Sequence, residues 1–238
     1  MILAIDAGNT RIKWGVYDGT WLARGVVAHD AMPELDRYFP MLRQVVVSNV
    51  AGPQVDAAIQ GWLARHEIPM HWVTAQAQAC GVTNGYKQPE KLGSDRWAAL
   101  VAAWQLQQSA CIVALAGTAL TVDALSSRGE FLGGLIVPGI AMMKQTLRSN
   151  TAGIAAVDGS LGNFPQTTGD AVHSGALHAM AGAVQRMQAM LEARESGKPE
   201  LVIAGGDAPA LQAALSGSGE IVDNLVLEGL ILLAGERS

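Results

Sequence analysis

Apolar residues in this chain come in short blocks that end in small polar residues, and one such pattern occurs twice. Ile2, Leu3, Ala4 and Ile5 run into Asp6-Ala7-Gly8-Asn9-Thr10; an extended segment to Asp18, a turn at Gly19 and a third strand from Trp21 to Ala28 follow. Cys111 to Ala116 run into Gly117-Thr118-Ala119; an extended segment to Asp123, a turn at Arg128-Gly129 and a third strand from Phe131 to Val137 follow. Two matching strand, Gly/Thr loop, strand, turn, strand units predict a duplicated domain, with residues 1–110 in the first copy and 111–238 in the second.

The segments between these units alternate helix and strand. Gln44–Val47 reads as a strand ending in Ser48-Asn49-Val50, residues 53–67 as a helix with Val55, Ile59, Trp62 and Leu63 on one face, and Met70–Thr74 as a strand. Residues 94–108 give the clearest helix, with Ser94 as N-cap, Asp95 in the first turn, and Trp97, Leu100, Val101 and Trp104 on its apolar face. Gly133-Gly134 through Pro138-Gly139 lead into a helix at 140–148; a longer helix covers 171–193, and a strand at 201–204 ends in Gly205-Gly206-Asp207. The alternation predicts an α/β class, in which ligands collect at the carboxyl ends of parallel strands.

Asp6 then stands at such a strand end. Gly8 lets the backbone approach a ligand, Asn9 and Thr10 offer donors to phosphate oxygens, and Asp6 can hold hydrated Mg²⁺ against the same phosphates. The second loop predicts a nucleotide gripped between the two copies. Asp95 at a helix N-terminus has capping as its ordinary role, but Gly93 before it and Arg96 after it enrich the context.

Composition narrows the partners. Half of the 238 residues are hydrophobic, 16% are charged and the net charge is −5, with no cluster of Lys and Arg, which argues against a nucleic-acid surface. The short apolar start predicts neither a signal peptide nor a membrane span, and Cys80 and Cys111 read as free thiols in a reducing cytoplasm. The five histidines show no metal-ligand spacing. No P-loop, dinucleotide fingerprint or nucleophile elbow is present in the sequence.

Taken together, Asp6-Ala7-Gly8-Asn9-Thr10, Gly93-Ser94-Asp95-Arg96, Gly117-Thr118-Ala119 with Thr121 and Asp123, and Gly133-Gly134 through Pro138-Gly139 resemble the type III pantothenate kinases. The resemblance implies two ribonuclease H-like domains of the actin-like ATPase and sugar-kinase superfamily, assembled as a cytoplasmic homodimer. The implied activity is ATP-dependent phosphorylation of pantothenate in coenzyme A biosynthesis. By the same resemblance Asp6, Gly8, Asn9 and Thr10 form the first phosphate loop, with Asp6 serving Mg²⁺ through water, and Gly117 and Thr118 form the second. Asp95 is similar to the catalytic base, held anionic by the helix N-terminus and Arg96. Arg96 resembles the residue that grips the pantothenate carboxylate, with Tyr86 and Gly93 beside it, and a local surface ion pair is its plainer role. Thr168 is similar to a threonine that reaches pantothenate across the dimer, and Asp123 to the ligand of a monovalent cation, K⁺ or NH₄⁺. One departure from the family pattern is Leu115, where many members carry an aspartate two positions before the second Gly-Thr. It gives footing to an alternative, a nucleotide-binding regulatory protein on the same scaffold. A kinase of another small hydroxy acid is the third reading.

Overall fold

The computed structural model describes residues 1–32, 34–154, 158–195 and 197–236. Two compact units emerge, one built from Met1–Leu106 with Asn224–Ser238 and the other from Gln107–Asp223. The returning C-terminal segment departs from the expected boundaries, which assigned all of 111–238 to the second copy.

In the first unit, β1 (Ile2–Ala7), β2 (Ile12–Tyr17) and β3 (Trp21–Val27) form an antiparallel meander. Next come β4 (Gln44–Asn49), α1 (Pro53–Leu63) and β5 (Met70–Trp72), and the sheet runs in the order β3-β2-β1-β4-β5. β4 is parallel to β1 and β5 is parallel to β4. A small hairpin, β6 (Gln78–Ala79) and β7 (Val82–Asn84), precedes α2 (Ser94–Gln107). β1 and β4 read as nearly unbroken apolar runs because both faces are covered, as parallel central strands require.

In the second unit, β8 (Cys111–Ala116), β9 (Ala119–Leu125) and β10 (Glu130–Pro138) repeat the meander. α3 (Ile140–Asn150) and α4 (Thr168–Glu195) are inserted before β11 (Glu200–Ala204), α5 (Ala208–Ala214) and β12 (Glu220–Ile221). The strands of this unit run β12-β11-β8-β9-β10, the same order as in the first, with β11 parallel to β8 and β12 parallel to β11. Met180, Val184, Met187 and Leu191 recur along one stripe of α4 and pack on Ile112, Ala114, Leu120 and Val122.

The last helix, α6 (Leu225–Gly235), belongs to the first unit. It packs so closely on α2 that a Cβ at Gly229 would lie 1.9 Å from the Ala98 carbonyl oxygen. The short-range pattern carries no sign of this long-range return.

Candidate active site

The first unit gathers its polar side chains where β1 and β4 end. In register, Asp6 faces Lys13 on β2 and Ser48 on β4, and directly paired residues share a face of the sheet. Asp6 is buried, and its Oδ1 has no hydrogen-bond partner. Burial, and then the charge of Asp95, push its carboxyl up to about 7, with Lys13 pulling the other way. A buried carboxylate with an open oxygen and a second carboxylate acting on it is stabilised by a cation. Among the described residues no cluster of three or more His, Cys, Asp or Glu could hold a metal, so an ion at Asp6 would complete its shell with water and ligand oxygens. On that donor set the residues fit Mg²⁺.

Asp95 reaches this place through a serine pair. Ser94, expected to be the N-cap, is instead the first residue of α2; the Gly93 carbonyl accepts the Trp97 N–H at 2.9 Å. The Ser94 hydroxyl pairs with that of Ser48 at 2.8 Å, both residues buried. A buried Ser48 hydroxyl on the neighbouring strand needs a partner, and that need outweighs capping. Asp95 Oδ1 accepts the Arg96 N–H at 2.8 Å and lies 2.6 Å from where a Cβ at Gly93 would stand, so the glycine makes room for the carboxylate. Burial raises the carboxyl of Asp95 above its ordinary range, against the lowering effects of the Arg96 amide and charge. The expectation that the helix end and Arg96 dominate is thus reversed by desolvation.

Arg96 is buried rather than set in a surface pair. Its Nη1 donates to Tyr86 Oη at 3.0 Å, and its guanidinium lies 5.7 Å from the centre of the Tyr86 ring. Asn84 positions Tyr86: its Oδ1 accepts the Tyr86 N–H at 3.0 Å, and its Nδ2 donates to the Pro89 carbonyl at 3.2 Å. In the β1–β2 turn, Gly8 N–H donates to Arg11 O at 3.1 Å, and Asn9 and Thr10 are exposed.

In the second unit, Gly117 N–H donates to Ala119 O at 3.1 Å and Gly139 N–H to Thr118 O at 3.0 Å. A Cβ at Gly139 would stand 2.0 Å from the Gly117 carbonyl oxygen, so glycine is needed where α3 begins against this loop. Gly205, at φ +105°, presses as closely on the Ala116 carbonyl. Asp123 is wholly buried in β9, between Val113 and Gly134 in register. Thr168 is the first residue of α4, whose start is capped by Thr167: the Thr167 hydroxyl donates to the Asp170 carboxylate at 2.7 Å and accepts the Asp170 N–H at 3.1 Å. Thr168 lines an apolar cavity of about 630 Å³ with Pro138, Met143, Leu147, Val172 and Ala176.

The candidate residues therefore fall into two sets. Asp6, Gly8, Asn9, Thr10, Tyr86, Gly93, Asp95 and Arg96 belong to the first unit; Gly117, Thr118, Asp123 and Thr168 belong to the second. Ser48 and Asn84 escaped the sequence reading as positioning residues. The polar end of a strand parallel to β1 was the available signal for Ser48.

Two units whose five strands run in the same order, each turning at a glycine loop after its first strand, define a duplicated ribonuclease H-like α/β scaffold. Solved structures agree on the fold. A Campylobacter jejuni protein named for the Baf family of transcriptional activators superposes with TM-score 0.61 at 20% identity, covering 99% of this chain and 98% of its own. A Sinorhizobium meliloti protein named as a 2-dehydro-3-deoxygalactonokinase superposes with TM-score 0.58 at 16% identity, covering 98% of each. The sequence match is narrower in kind. The family model of type III pantothenate kinase matches residues 2–190, and a type III pantothenate kinase from Nitrosospira multiformis is 47% identical over 100% of this chain and 92% of its own length. The chain belongs to the type III pantothenate kinase family.

Proposed function

We propose that this enzyme transfers the γ-phosphoryl group of ATP to the primary hydroxyl of pantothenate, giving 4′-phosphopantothenate and ADP in coenzyme A biosynthesis. The observation that carries the reading is the buried Asp6 carboxylate, raised in part by the charge of Asp95, in the same unit as the buried Arg96 that pairs with Tyr86. Because phosphoryl transfer passes through a loose transition state, the protein's task is to align the hydroxyl and neutralise charge. Asp95 orients the pantothenate hydroxyl and takes its proton late. A carboxyl raised above its ordinary range by burial is a better proton acceptor than an unperturbed one. Arg96 holds the pantothenate carboxylate, with Tyr86 and Gly93 beside the substrate.

The backbone and side chains of Gly8, Asn9, Thr10, Gly117 and Thr118 bind phosphate oxygens. Asp6 holds Mg²⁺ through water, and the bound ion supplies charge neutralisation on the triphosphate. Asp123, a wholly buried carboxylate, is the proposed ligand of a monovalent cation, K⁺ or NH₄⁺. The enzyme works as a cytoplasmic homodimer in which Thr168 reaches the substrate of the other subunit. Support for that assembly comes from α3, which buries no residue of its own and exposes Met142 and Leu147, and from the apolar cavity at Thr168. The net charge of −5 suits small-molecule rather than nucleic-acid partners, and among the described residues no helix is long and apolar enough to cross a membrane.

The test is ADP release from Mg·ATP with and without pantothenate, in K⁺ and in Na⁺ buffer. Turnover that requires pantothenate and is much faster in K⁺ is expected; its absence in both buffers refutes the reading. Arg96→Ala is expected to raise the pantothenate KM at least tenfold more than the ATP KM, since a charge-assisted bidentate contact is worth about 1.5–3 kcal/mol.

A further inference from the structure

The β2–β3 pairing does more than build a sheet edge. Ile12 lies opposite Val27, so the chain leaving β3 is delivered beside the turn that leads into β2, the Gly8-Asn9-Thr10 segment. Two residues beyond Val27, His29 Nε2 donates a hydrogen bond to the Gly8 carbonyl oxygen at 2.8 Å. A carbonyl can only accept, so this bond requires the proton on Nε2. Across a planar trans peptide the C=O of residue 8 and the N–H of residue 9 point in opposite directions. Anchoring the Gly8 oxygen therefore fixes the direction of the Asn9 N–H, which then faces away from the imidazole.

The rest of the turn needs such a brace. Gly8 is the residue with the widest choice of backbone conformation, and Asn9 and Thr10 are exposed. Within the turn, the Gly8 N–H to Arg11 O bond at 3.1 Å closes the loop but leaves the 8–9 peptide plane unspecified. The other end of the 7–8 peptide, the Ala7 carbonyl, is held by Val50 N–H at 3.0 Å. Both of those bonds hold the 7–8 peptide, and His29 supplies the constraint on the next one, 8–9.

We infer that His29 is a positioning residue for nucleotide binding: by holding the Gly8 carbonyl it sets the Asn9 N–H, and with it the loop, for the phosphates of a nucleoside di- or triphosphate. Its own ring touches neither the phosphates nor pantothenate. The inference rests on the proposed phosphate-loop role of residues 6–10.

The experiment compares wild type, His29→Leu and His29→Gln by steady-state kinetics with Mg·ATP and pantothenate, and by calorimetric titration with ADP. Expected for His29→Leu is a five- to tenfold rise in both the ATP KM and the ADP Kd, with the pantothenate KM within twofold of wild type. Gln keeps an N–H donor, and His29→Gln is expected to recover most of the nucleotide affinity. A histidine that merely braced the fold would weaken both substrates together or act only on melting temperature. Unchanged ATP KM and ADP Kd in His29→Leu overturn the inference, as do equal losses for both substrates. A wild-type protein that binds ADP yet shows no pantothenate-dependent turnover would instead refute the kinase reading, and the ADP titrations would still decide the role of His29.

Discussion

The β1–β2 turn and the β8–β9 turn occupy the same place in two sheets of the same order, yet only one of them carries a charge. In both, the residue before the glycine is held by its carbonyl: Val50 N–H binds Ala7 O at 3.0 Å, and Asp207 N–H binds Ala116 O at 3.1 Å. In both, the glycine N–H closes the turn onto a carbonyl at 3.1 Å, Arg11 O in one and Ala119 O in the other. Two residues before the glycine the copies part. The first has Asp6, buried, raised to about 7 and with an open oxygen; the second has Leu115. The second turn is instead crowded by backbone, with Gly139 and Gly205 pressed on Gly117 and Ala116. Duplication thus kept the backbone geometry in both copies and concentrated the ionisable chemistry in the first.

The comparison is broken most severely at Asp95, the second carboxylate of the first copy. Asp95→Asn is expected to lower kcat by about 10²–10⁴, the usual worth of a positioned acid–base group, while ADP still binds in calorimetry. Retained turnover would remove the base role. The Gly139→Ala change probes the crowded copy: a Cβ 2.0 Å from the Gly117 oxygen forces the loop to move. A loss of about 1–3 kcal/mol in stability is expected by denaturant titration, with weakened ADP binding. An unaltered midpoint would show that the loop yields freely.

Asp6→Asn is expected to reduce turnover at least about tenfold, or roughly 1.4 kcal/mol. The same variant tests the raised carboxyl. Because folding lifts the Asp6 value from 3.8 to about 7, the native state binds the proton more tightly than the unfolded chain. The associated stability is fully present below about pH 4 and is lost as pH rises through about 7. In metal-free buffer, wild type should therefore lose stability relative to Asp6→Asn between those limits, by an amount on the order of 4 kcal/mol at most. Parallel stability curves would show that Asp6 is not desolvated. The smallest effect is expected at Leu115→Asp, which restores symmetry between the copies. Its side chain is half-buried, so kcat should change by less than about threefold, or about 0.6 kcal/mol. A large gain would mean that the second loop had been limiting.

Much of this molecule was legible in the order of its residues. Strands such as Ile2–Ala7 and Cys111–Ala116 are announced by unbroken apolar runs, and the repeat of strand, glycine loop and strand exposes the duplication. The Gly93-Ser94-Asp95-Arg96 segment marks a helix start that carries a carboxylate. These are local signals, set by period and by the conformational demands of glycine, and neighbouring residues alone determine them.

Tertiary structure decided what depends on distant partners. Ser94 reads locally as a cap, yet a buried hydroxyl 46 residues earlier claims it. Local sequence leaves Arg96 open between a surface ion pair and a substrate contact, and the fold buries it against Tyr86. The hairpin of residues 78–84 is too short to show a period, and α6 rejoins the first unit across the whole second copy. The raised carboxyls of Asp6 and Asp95 follow the same rule. Which residues carry the acids is written in the sequence; that they are desolvated, and that Asp6 feels the charge of Asp95, follows only from packing that removes water around them.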